Sequence, residues 1–288
     1  MPELPEVETI KNELSPWVVG QHFDQVSVLD SRLIYHLPVP EFCRRLTGQA
    51  VETINRRGKY LIFQLSGTQY LVVHLRMSGA LLLNPDKIDP HARASFTFSN
   101  GTHLVLNDQR RLGIVWLVEN IEPVIGKLGP EPLDNDFTAA VLSQTLSKHH
   151  IPIKVALIDQ SLIAGIGNMY ADEILFAARM HPLRTTDSLS TEEIQHIHNS
   201  IRRILRSAIA KKGASTDTYV RPGGQIGTAH FDFKVAHRKG MPCPVCGASV
   251  ERISLRNRGT YFCPNCQPLT TRMPPLPPWP RILPFLSL

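Results

Sequence analysis

The sequence Cys243-Pro244-Val245-Cys246, followed after sixteen residues by Cys263-Pro264-Asn265-Cys266, decides how the C-terminal part of the chain folds. The two residues between the cysteines of each pair let both thiolates approach one ion from a tight turn, and proline is a good turn former. This spacing is typical of a zinc ribbon. We therefore expect one structural zinc ion held by four thiolates, which contributes about 10–16 kcal/mol to the folding of such a module.

Two disulfides are the alternative for these four cysteines. The first ten residues contain three glutamates and no apolar stretch, so they show no secretory or transit signal. Thiols stay reduced in the cytoplasm, where we expect this protein to be, and this favours zinc over disulfides. The fifth cysteine, Cys43, follows Phe42 in a partly helical context, and we expect a small core residue there rather than a reactive thiol.

The residues around the cysteines are strongly basic. Residues 201–288 contain 14 Lys+Arg and 3 Asp+Glu, whereas residues 1–200 contain 17 and 22. A basic module on a near-neutral body favours a polyanionic partner, because binding to phosphates releases counterions from nucleic acid. A solubilising face is the alternative.

The length and composition exclude several classes of protein. A chain of 288 residues is long enough for two domains with separate cores, so a small disulfide scaffold is excluded. Hydrophobic residues make up 42% and charged residues 19%, which is typical of a globular protein. No apolar run approaches the roughly 18 residues that span a bilayer, and we expect no membrane partner.

Short β-type runs recur between turn signals from about residue 22 to residue 119. Many short strands with few helices favour a β-sandwich. Asn100-Gly101 is a signal for a two-residue hairpin. A helix over 2–14 precedes the sandwich and is predicted to end near Ser15-Pro16. The predicted strands are 26–29, 60–65, 70–75, 80–83, 95–98, 103–106 and 114–118.

The stretch 126–132, which is rich in Gly and Pro, predicts a linker, after which the hydrophobic period changes from two to about 3.6. A polar loop at 213–228 leads to the cysteine module. The last residues, 268–288, contain seven prolines and predict an extended or disordered tail. The predicted helices after the linker are 138–147, 152–159, 168–179 and 191–211.

Two glycines and an asparagine in Gly165-Ile166-Gly167-Asn168 lie between two predicted helices. The N-terminus of the second helix offers free N–H groups to an anion such as a DNA phosphate. An ordinary turn with Asn168 as the helix cap is the alternative. Basic turns at 56–59 and 107–113 border β runs and either contact phosphates or are simply solvated.

The N-terminus permits nucleophilic chemistry, because an initiator methionine is generally removed before a residue as small as proline. Pro2 would then be a secondary amine, of which roughly a tenth is unprotonated at pH 7, against about 0.04% of an ordinary lysine. Such an amine can attack a sugar or carbonyl carbon and form an iminium. Glu3 can protonate the departing or opening oxygen. The alternative is a proline that only starts a helix, with glutamates favouring the helix dipole.

These features together resemble one family, the formamidopyrimidine-DNA glycosylases, which are bacterial base-excision repair enzymes for oxidised purines. The resemblance covers residues 1 to about 267. It implies an α+β multidomain fold. The implied parts are an N-terminal β-sandwich flanked by helices (1–128), a helix-two-turn-helix domain (129–232), a four-cysteine zinc finger (233–267) and the proline-rich tail (268–288). The motifs that carry the resemblance, in order, are Pro2-Glu3-Leu4-Pro5-Glu6-Val7-Glu8-Thr9, Arg57-Gly58-Lys59-Tyr60-Leu61, His74-Leu75-Arg76-Met77-Ser78-Gly79, Asp159-Gln160, Gly165-Ile166-Gly167-Asn168 and the paired cysteines.

The resemblance implies catalytic roles for four residues, and it places Glu6 beside them among the DNA-binding residues. Pro2 is the implied nucleophile on C1′ of the damaged nucleotide, and Glu3 the acid/base that assists glycosidic cleavage and sugar opening. Lys59 matches the family lysine linked to β-elimination. Arg258 matches the zinc-finger arginine linked to δ-elimination and phosphate binding. Glu6 matches an active-site acid.

The resemblance also implies how DNA is held, because the enzyme must flip its target base and fill the gap. Three inserted side chains do this in the family, and they match Met77, Arg110 and Leu112, with Arg110 facing the orphaned cytosine. The family usually has Phe where this chain has Leu112, which predicts weaker stacking, although leucine can also wedge base steps. The remaining implied DNA contacts are Asn168, Lys154, His91, His149 and the base-capping loop 215–219.

The implied partner is double-stranded DNA that contains oxidised bases or abasic sites, and the implied protein is a monomer with zinc as its one cofactor. It excises 8-oxoguanine and formamidopyrimidines and then cleaves the strand by β,δ-elimination. An endonuclease VIII-like enzyme for oxidised pyrimidines is one alternative, but Leu4 and the pair Met77/Arg110 favour the purine enzyme. A non-catalytic binder of damaged DNA is the other alternative.

Overall fold

The computed structural model describes residues 2–87 and 89–269, and the proline-rich tail predicted from residue 268 lies outside them from residue 270 onward. The first part of the chain forms two antiparallel sheets, one in the order β1-β6-β7-β5 and one in the order β2-β3-β4-β8. The predicted β-sandwich is therefore confirmed. Its strands are β1 (Phe23–Val28), β2 (Val51–Arg57), β3 (Tyr60–Leu65), β4 (Tyr70–His74), β5 (Gly79–Leu83), β6 (Ala92–Phe98), β7 (His103–Asp108) and β8 (Ile114–Val118).

The side chains between the sheets explain why these runs form strands. Leu61, Phe63 and Leu65 alternate along β3 and are at most 1% exposed. Strand β2 was missed in the sequence because only Val51 and Ile54 of its residues are buried, and an irregularity after Val51 interrupts the alternation. Buried apolar surface between the two sheets is the main source of stability of such a sandwich.

The hairpin between β6 and β7 differs from the predicted two-residue turn. The N–H of Gly101 donates to the carbonyl of Phe98 at 2.8 Å, and the N–H of Phe98 donates to the carbonyl of Thr102 at 2.9 Å. Three residues therefore form the loop, and Gly101 has a positive φ of 80°. This is a turn followed by a bulge with glycine in the left-handed region, so the Asn-Gly pair lies one residue out of the predicted register.

Seven α-helices lie among the described residues. The first was predicted to end near Pro16 but continues to Val18, because Leu14 and Val18 are fully buried and a proline in the last turn removes only one hydrogen bond. The four helices predicted after the linker are all present. The helices are α1 (Leu4–Val18), α2 (Val39–Leu46), α3 (Glu122–Ile125), α4 (Ala139–Leu146), α5 (Ile153–Ile158), α6 (Asn168–Ala177) and α7 (Thr191–Ala210). None of them is long and apolar enough to cross a membrane.

Helix α1 joins two hydrophobic cores. Ile10 and Leu14 pack in the core of the sandwich, whereas Leu4 packs in a second core formed by the later helices. In that second core, Ile197 and Ile201 of α7 are fully buried. The N-terminus of the chain therefore lies at the junction of the two cores, and residues 2 and 3 are buried there.

The predicted linker holds the turn between β2 and β3. The Glu131 carboxylate accepts hydrogen bonds from Arg56 at 2.8 Å, from Arg57 at 3.1 Å and from the N–H of Gly58. Arg56 is only 8% exposed, so this basic turn is neither solvated nor free for phosphates at that residue. The turn instead holds the next residue, Lys59, at the junction of the cores.

The cysteine module contains a two-stranded hairpin of β9 (Glu251–Leu255) and β10 (Arg258–Phe262). Its turn residues Arg256 and Asn257 have positive φ angles of 46° and 61°, as a two-residue turn of this hand requires. Arg258 is the first residue after that turn. The hairpin fills the gap between the two cysteine pairs and places Arg258 at the module's edge.

Candidate active site and DNA-binding cleft

A cleft of about 770 Å³ lies where the sandwich, the helices and the cysteine module meet. It brings together residues from both ends of the chain, Glu3 and Arg258. Its cationic side chains exceed its carboxylates, which suits a polyanionic ligand. The other lining residues that the sequence predicted as site residues are Lys59, Met77, Leu112 and Asn168; further lining residues include His74, Arg76, Asp217 and His237.

The Glu3 carboxylate caps helix α6. It accepts hydrogen bonds from the backbone N–H groups of Gly167 at 2.9 Å, Met169 at 3.1 Å and Tyr170 at 3.4 Å. Three of the N–H groups at the helix N-terminus, which the sequence indicated as an anion site, are therefore occupied by Glu3. The alternative of an Asn168 cap is wrong, because Gly167 is the cap residue. The three donors hold the Glu3 carboxylate, which is 1% exposed, at the floor of the cleft.

Glu6 lies one helical turn below Glu3 and is fully buried. Its carboxylate accepts hydrogen bonds from the Tyr170 hydroxyl at 2.6 Å, from the N–H of Ala214 at 2.8 Å and from the N–H of Glu3 at 2.8 Å. Burial and the neighbouring charge of Glu3 raise the pKa of Glu6 to about 7. Glu6 therefore ties the catalytic end of α1 to the start of the predicted base-capping loop.

The raised pKa of Glu6 predicts a pH-dependent stability. A carboxyl whose folded pKa is about 7 instead of 4.5 favours the folded state fully below pH 4.5, and this contribution is lost as the pH rises through 7. Between pH 5 and pH 8 we expect the free energy of unfolding of the wild type to fall by roughly 2 kcal/mol relative to Glu6→Gln. Urea unfolding at several pH values measures this difference. Glu119→Gln is the control, because the Glu119 side chain is 71% exposed, and its free energy of unfolding should change with pH as that of the wild type does. If the free energy of unfolding of Glu6→Gln also changed with pH as that of the wild type does, the prediction would be contradicted.

Lys59 is 7% exposed and lies among ionisable groups. Burial lowers the pKa of its ammonium, the charges of Glu3 and Glu6 oppose that shift, and Arg258 adds to it. A lysine whose pKa is lowered gives up its proton more readily than an ordinary one, which suits acid/base work.

His74 also lines the cleft. It is the first residue of the motif at 74–79, but its position in the sequence predicts no role for it. Its Nδ1 accepts a hydrogen bond from the N–H of Arg76 at 3.0 Å. Burial, followed by the charges of Arg76 and Lys59, lowers the pKa of His74 to about 3. The imidazole is therefore neutral at physiological pH and presents its other nitrogen without a charge.

Asn168 and Lys154 are organised as a pair. The Asn168 amide donates to the carbonyl of Gly259 at 2.9 Å, which joins α6 to the cysteine module next to Arg258. Lys154 is 1% exposed; its ammonium donates to the carbonyl of Asn168 at 3.2 Å and pairs with Asp172. Contact between Lys154 and DNA would require this ion pair to open, so in this structure Lys154 supports Asn168 from behind.

Three side chains predicted to enter DNA lie on two adjacent turns. Met77 is 43% exposed and Leu112 41%, which is unusual for large apolar side chains held on ordered turns. The Arg110 guanidinium donates to the Met77 sulfur at 3.4 Å. The structure thus brings these three side chains together beside the cleft.

The two predicted histidines lie elsewhere. His91 is exposed before β6, where its N–H donates to Asp89 at 2.6 Å, and His149 is half-buried before α5. Neither belongs to the residues that line the cleft. Their contact with DNA stays a prediction about the wider surface.

The four paired cysteines form the metal site that their spacing predicts. Their sulfurs lie within 4.8 Å of one another, at 3.8 Å for Cys243 and Cys266 and 3.4 Å for Cys246 and Cys263. In a tetrahedral site with a Zn–S distance of about 2.3 Å the sulfurs are about 3.8 Å apart, whereas a disulfide needs about 2.05 Å. The donor set fits zinc, and the disulfide alternative is wrong. Burial raises the pKa of the Cys43 thiol, as expected of an unreactive thiol.

The fold and the cleft together define a class: a β-sandwich protein with a helical domain and a four-thiolate zinc finger, with Glu3 in the cleft between these parts. Family models match at residues 1–115 (formamidopyrimidine-DNA glycosylase N-terminal domain), 128–220 (formamidopyrimidine-DNA glycosylase H2TH domain) and 240–269 (zinc finger found in FPG and IleRS). The chain belongs to the formamidopyrimidine-DNA glycosylase family.

Relatives and solved structures agree with this assignment. The formamidopyrimidine-DNA glycosylase of Symbiobacterium thermophilum is 43% identical over 93% of this chain and 90% of its own length. The formamidopyrimidine-DNA glycosylase of Chloroflexus aurantiacus is 41% identical over 95% of this chain and 100% of its own length. A Lactococcus lactis FPG mutant in complex with Fapy-dG-containing DNA superposes with a TM-score of 0.86 at 35% identity, covering 93% of this chain and 100% of that one. The MutM (FPG) protein of Thermus thermophilus superposes with a TM-score of 0.85 at 38% identity, covering 92% of this chain and 98% of that one.

Proposed function

We propose that this protein is a base-excision repair enzyme that removes oxidised purines, 8-oxoguanine and formamidopyrimidines, from double-stranded DNA and then cleaves the abasic strand. The observation that carries this function is the placement of Glu3 in the cleft, with its carboxylate held by the N-terminus of α6 and the buried residue 2 directly beside it. A chain that starts at Pro2 then offers a secondary amine and a carboxylate side by side. The Lactococcus lactis relative was crystallised with DNA that contains Fapy-dG.

In this mechanism the Pro2 nitrogen attacks C1′ of the damaged nucleotide. The bond from C1′ to the base breaks, and the base leaves with the electron pair and takes up a proton from solvent. The attacking nitrogen passes its own proton to the Glu3 carboxylate, and Glu3 delivers that proton to the ring oxygen as the bond from C1′ to this oxygen opens. The product is an iminium that joins Pro2 covalently to the opened sugar.

The iminium makes the hydrogen on C2′ acidic, because it withdraws electrons from the neighbouring carbon. Loss of that proton expels the 3′ phosphate in β-elimination, and we assign the proton transfer to Lys59, whose pKa is lowered by burial. A second elimination expels the 5′ phosphate, and Arg258 binds the leaving phosphate at the cleft edge. These steps require neither a redox group nor a catalytic metal, and the zinc ion is structural.

The DNA is held by residues on both sides of the cleft. Met77 and Leu112 fill the gap left by the flipped nucleotide, and Arg110 faces the orphaned cytosine. Glu6 anchors the base-capping loop through Ala214. The phosphate contacts are assigned to Asn168, His91, His149 and, through Asn168, Lys154.

Three units divide this work: a catalytic sandwich (1–128), a helix-two-turn-helix domain (129–232) and a zinc finger (233–267). The cleft lies between them, so DNA binding requires all three. We place the protein in the cytoplasm, on the nucleoid through its DNA, as a monomer.

Borohydride trapping tests the function. The protein is mixed with duplex DNA that contains one 8-oxoguanine opposite cytosine, and borohydride reduces any iminium to a stable amine. We expect a covalent protein–DNA adduct and, without borohydride, β- and βδ-cleaved strands. Binding without an adduct, with Pro2 shown to be the first residue, would mean a non-catalytic binder. Preference for an oxidised pyrimidine would mean the endonuclease VIII-like alternative.

Replacing Arg258 separates the two eliminations. For Arg258→Ala we expect weaker DNA binding and a larger share of β-product relative to βδ-product, because the phosphate that leaves second has lost its cationic partner. Denaturing gels of end-labelled abasic DNA measure the ratio. Lys239→Ala, at an exposed lysine of the same module, removes the same charge and should leave the ratio unchanged. An unchanged ratio in Arg258→Ala would refute the assignment.

A further inference from the structure

The three inserted side chains lie on two separate turns of the sandwich. Met77 lies on the turn between β4 and β5, and Arg110 and Leu112 lie on the turn between β7 and β8. Each turn passes from one sheet of the sandwich to the other. Their mutual placement therefore depends on something that joins the two turns.

One buried carboxylate joins them. Asp108, 1% exposed, accepts hydrogen bonds from the N–H of Leu112 at 2.7 Å and of Gly113 at 2.6 Å through one oxygen. Its other oxygen accepts the Ser78 hydroxyl and, at 3.2 Å, the N–H of Arg110. The backbone N–H groups of Arg110, Leu112 and Gly113 thus all donate to this carboxylate.

Ser78 completes the link to the first turn. It is 6% exposed, directly follows Met77, and its hydroxyl also accepts the N–H of Arg110 at 3.1 Å. Asp108 and Gly79 face each other in the pairing of β7 with β5, so the serine and the carboxylate are held at close range by the sheet.

We propose that Asp108 is a positioning residue that fixes Met77, Arg110 and Leu112 relative to one another, and that it thereby controls extrusion of the damaged nucleotide and reading of the opposite base. This inference rests on the proposed function. Asp108 is not among the residues that line the cleft, so we expect the chemistry at Pro2 not to depend on it. We therefore expect replacement of Asp108 to slow excision from duplex DNA, which must be opened, and to leave the reaction with single-stranded DNA unchanged.

The variant Asp108→Asn replaces one acceptor oxygen by a donor, so either the N–H of Arg110 or the N–H groups of Leu112 and Gly113 lose their side-chain acceptor. Misplacement by about 1 Å can cost on the order of 100-fold in rate. We expect a loss of that order in single-turnover excision from an 8-oxoguanine·cytosine duplex. With an abasic site in single-stranded DNA, where no gap needs filling, we expect borohydride trapping within about twofold of the wild type.

A second readout separates positioning from general damage. The wild type should excise 8-oxoguanine faster opposite cytosine than opposite adenine, and in Asp108→Asn this ratio should fall toward one, because Arg110 is no longer held by its N–H. Ser78→Ala should also excise more slowly from the duplex and trap single-stranded abasic DNA normally, but its loss of rate on the duplex should be smaller than that of Asp108→Asn. Asp24→Asn, at an exposed aspartate of β1, is the matched control and should equal the wild type on every substrate.

Equal losses on duplex and single-stranded substrates, or an unchanged rate and base preference on the duplex, would overturn the inference. If thermal unfolding shows that Asp108→Asn does not fold, Ser78→Ala is the deciding variant. A slower reaction on the duplex alone supports the inference, and equal behaviour on duplex and single-stranded DNA overturns it. A wild type that traps no abasic DNA would instead refute the proposed function, and the inference with it.

Discussion

Blocking the nitrogen of Pro2 abolishes trapping and strand cleavage, because an amide nitrogen has no lone pair free to attack C1′. We expect a chain that carries an uncleaved N-terminal extension to lose roughly 10⁴-fold or more in single-turnover cleavage of abasic DNA, as enzymes do when their nucleophile is removed. The untagged chain, processed to begin at Pro2, is the active comparison. Intact-mass measurement of both preparations verifies which residue comes first.

Substitution at the same position refines this test. Pro2→Gly keeps an amine but loses the ring, and we expect a lower rate with residual trapping. Because Glu3 is held by α6 and not by the proline ring, DNA affinity should stay close to that of the wild type in both forms. Full activity of the glycine variant would weaken the mechanism, and full activity of the blocked chain would refute it.

Removing zinc has the second large effect. The hydrophobic cluster around Cys243 and Cys263 is small, and its other buried residues are Phe176 of α6, Val235 and Val250. Binding of a structural zinc ion typically contributes about 10–16 kcal/mol, more than so small a core supplies. We expect Cys263→Ser, or treatment with a strong chelator, to unfold the module and remove Arg258 and the Gly259 carbonyl from the cleft.

Metal analysis and fluorescence anisotropy with abasic duplex DNA measure the result. Zinc content should fall from one ion per chain to none, and the Kd for DNA should rise at least tenfold. Cys43→Ser is the matched control, since Cys43 is half-buried away from the cluster; its zinc content and affinity should equal those of the wild type. Unchanged affinity in protein shown to lack zinc would mean that the module is dispensable for DNA binding.

Local patterns in the sequence predicted much of the fold. The alternation of Leu61, Phe63 and Leu65 indicates a strand, and the apolar period of residues 191–211 indicates the long helix α7. The cysteine spacing predicted the metal site, because two pairs of thiolates in tight turns need only one hairpin between them. Strand β2 was not predicted, because several of its side chains face solvent and a bulge after Val51 interrupts its hydrophobic alternation.

The candidate site could be predicted only in part. Pro2, Glu3 and Arg258 were assigned from motifs, and the structure brings Glu3 and Arg258 to one cleft. The sequence could not indicate that Glu3 occupies the helix N-terminus offered to a phosphate, or that Lys154 is buried against Asp172. Nor could it assign His74 or Asp108 a role.

The sequence by itself determined most of the strands, the longer helices and the zinc finger, since hydrophobic period and ligand spacing are local properties of the chain. Only the tertiary structure decided which polar groups meet. Glu3 and Gly167, or Ser78 and Asp108, are far apart along the chain and are joined by packing of α1 and the two sheets. A buried carboxylate must find donors wherever the fold provides them, and that requirement acts through space, not along the sequence.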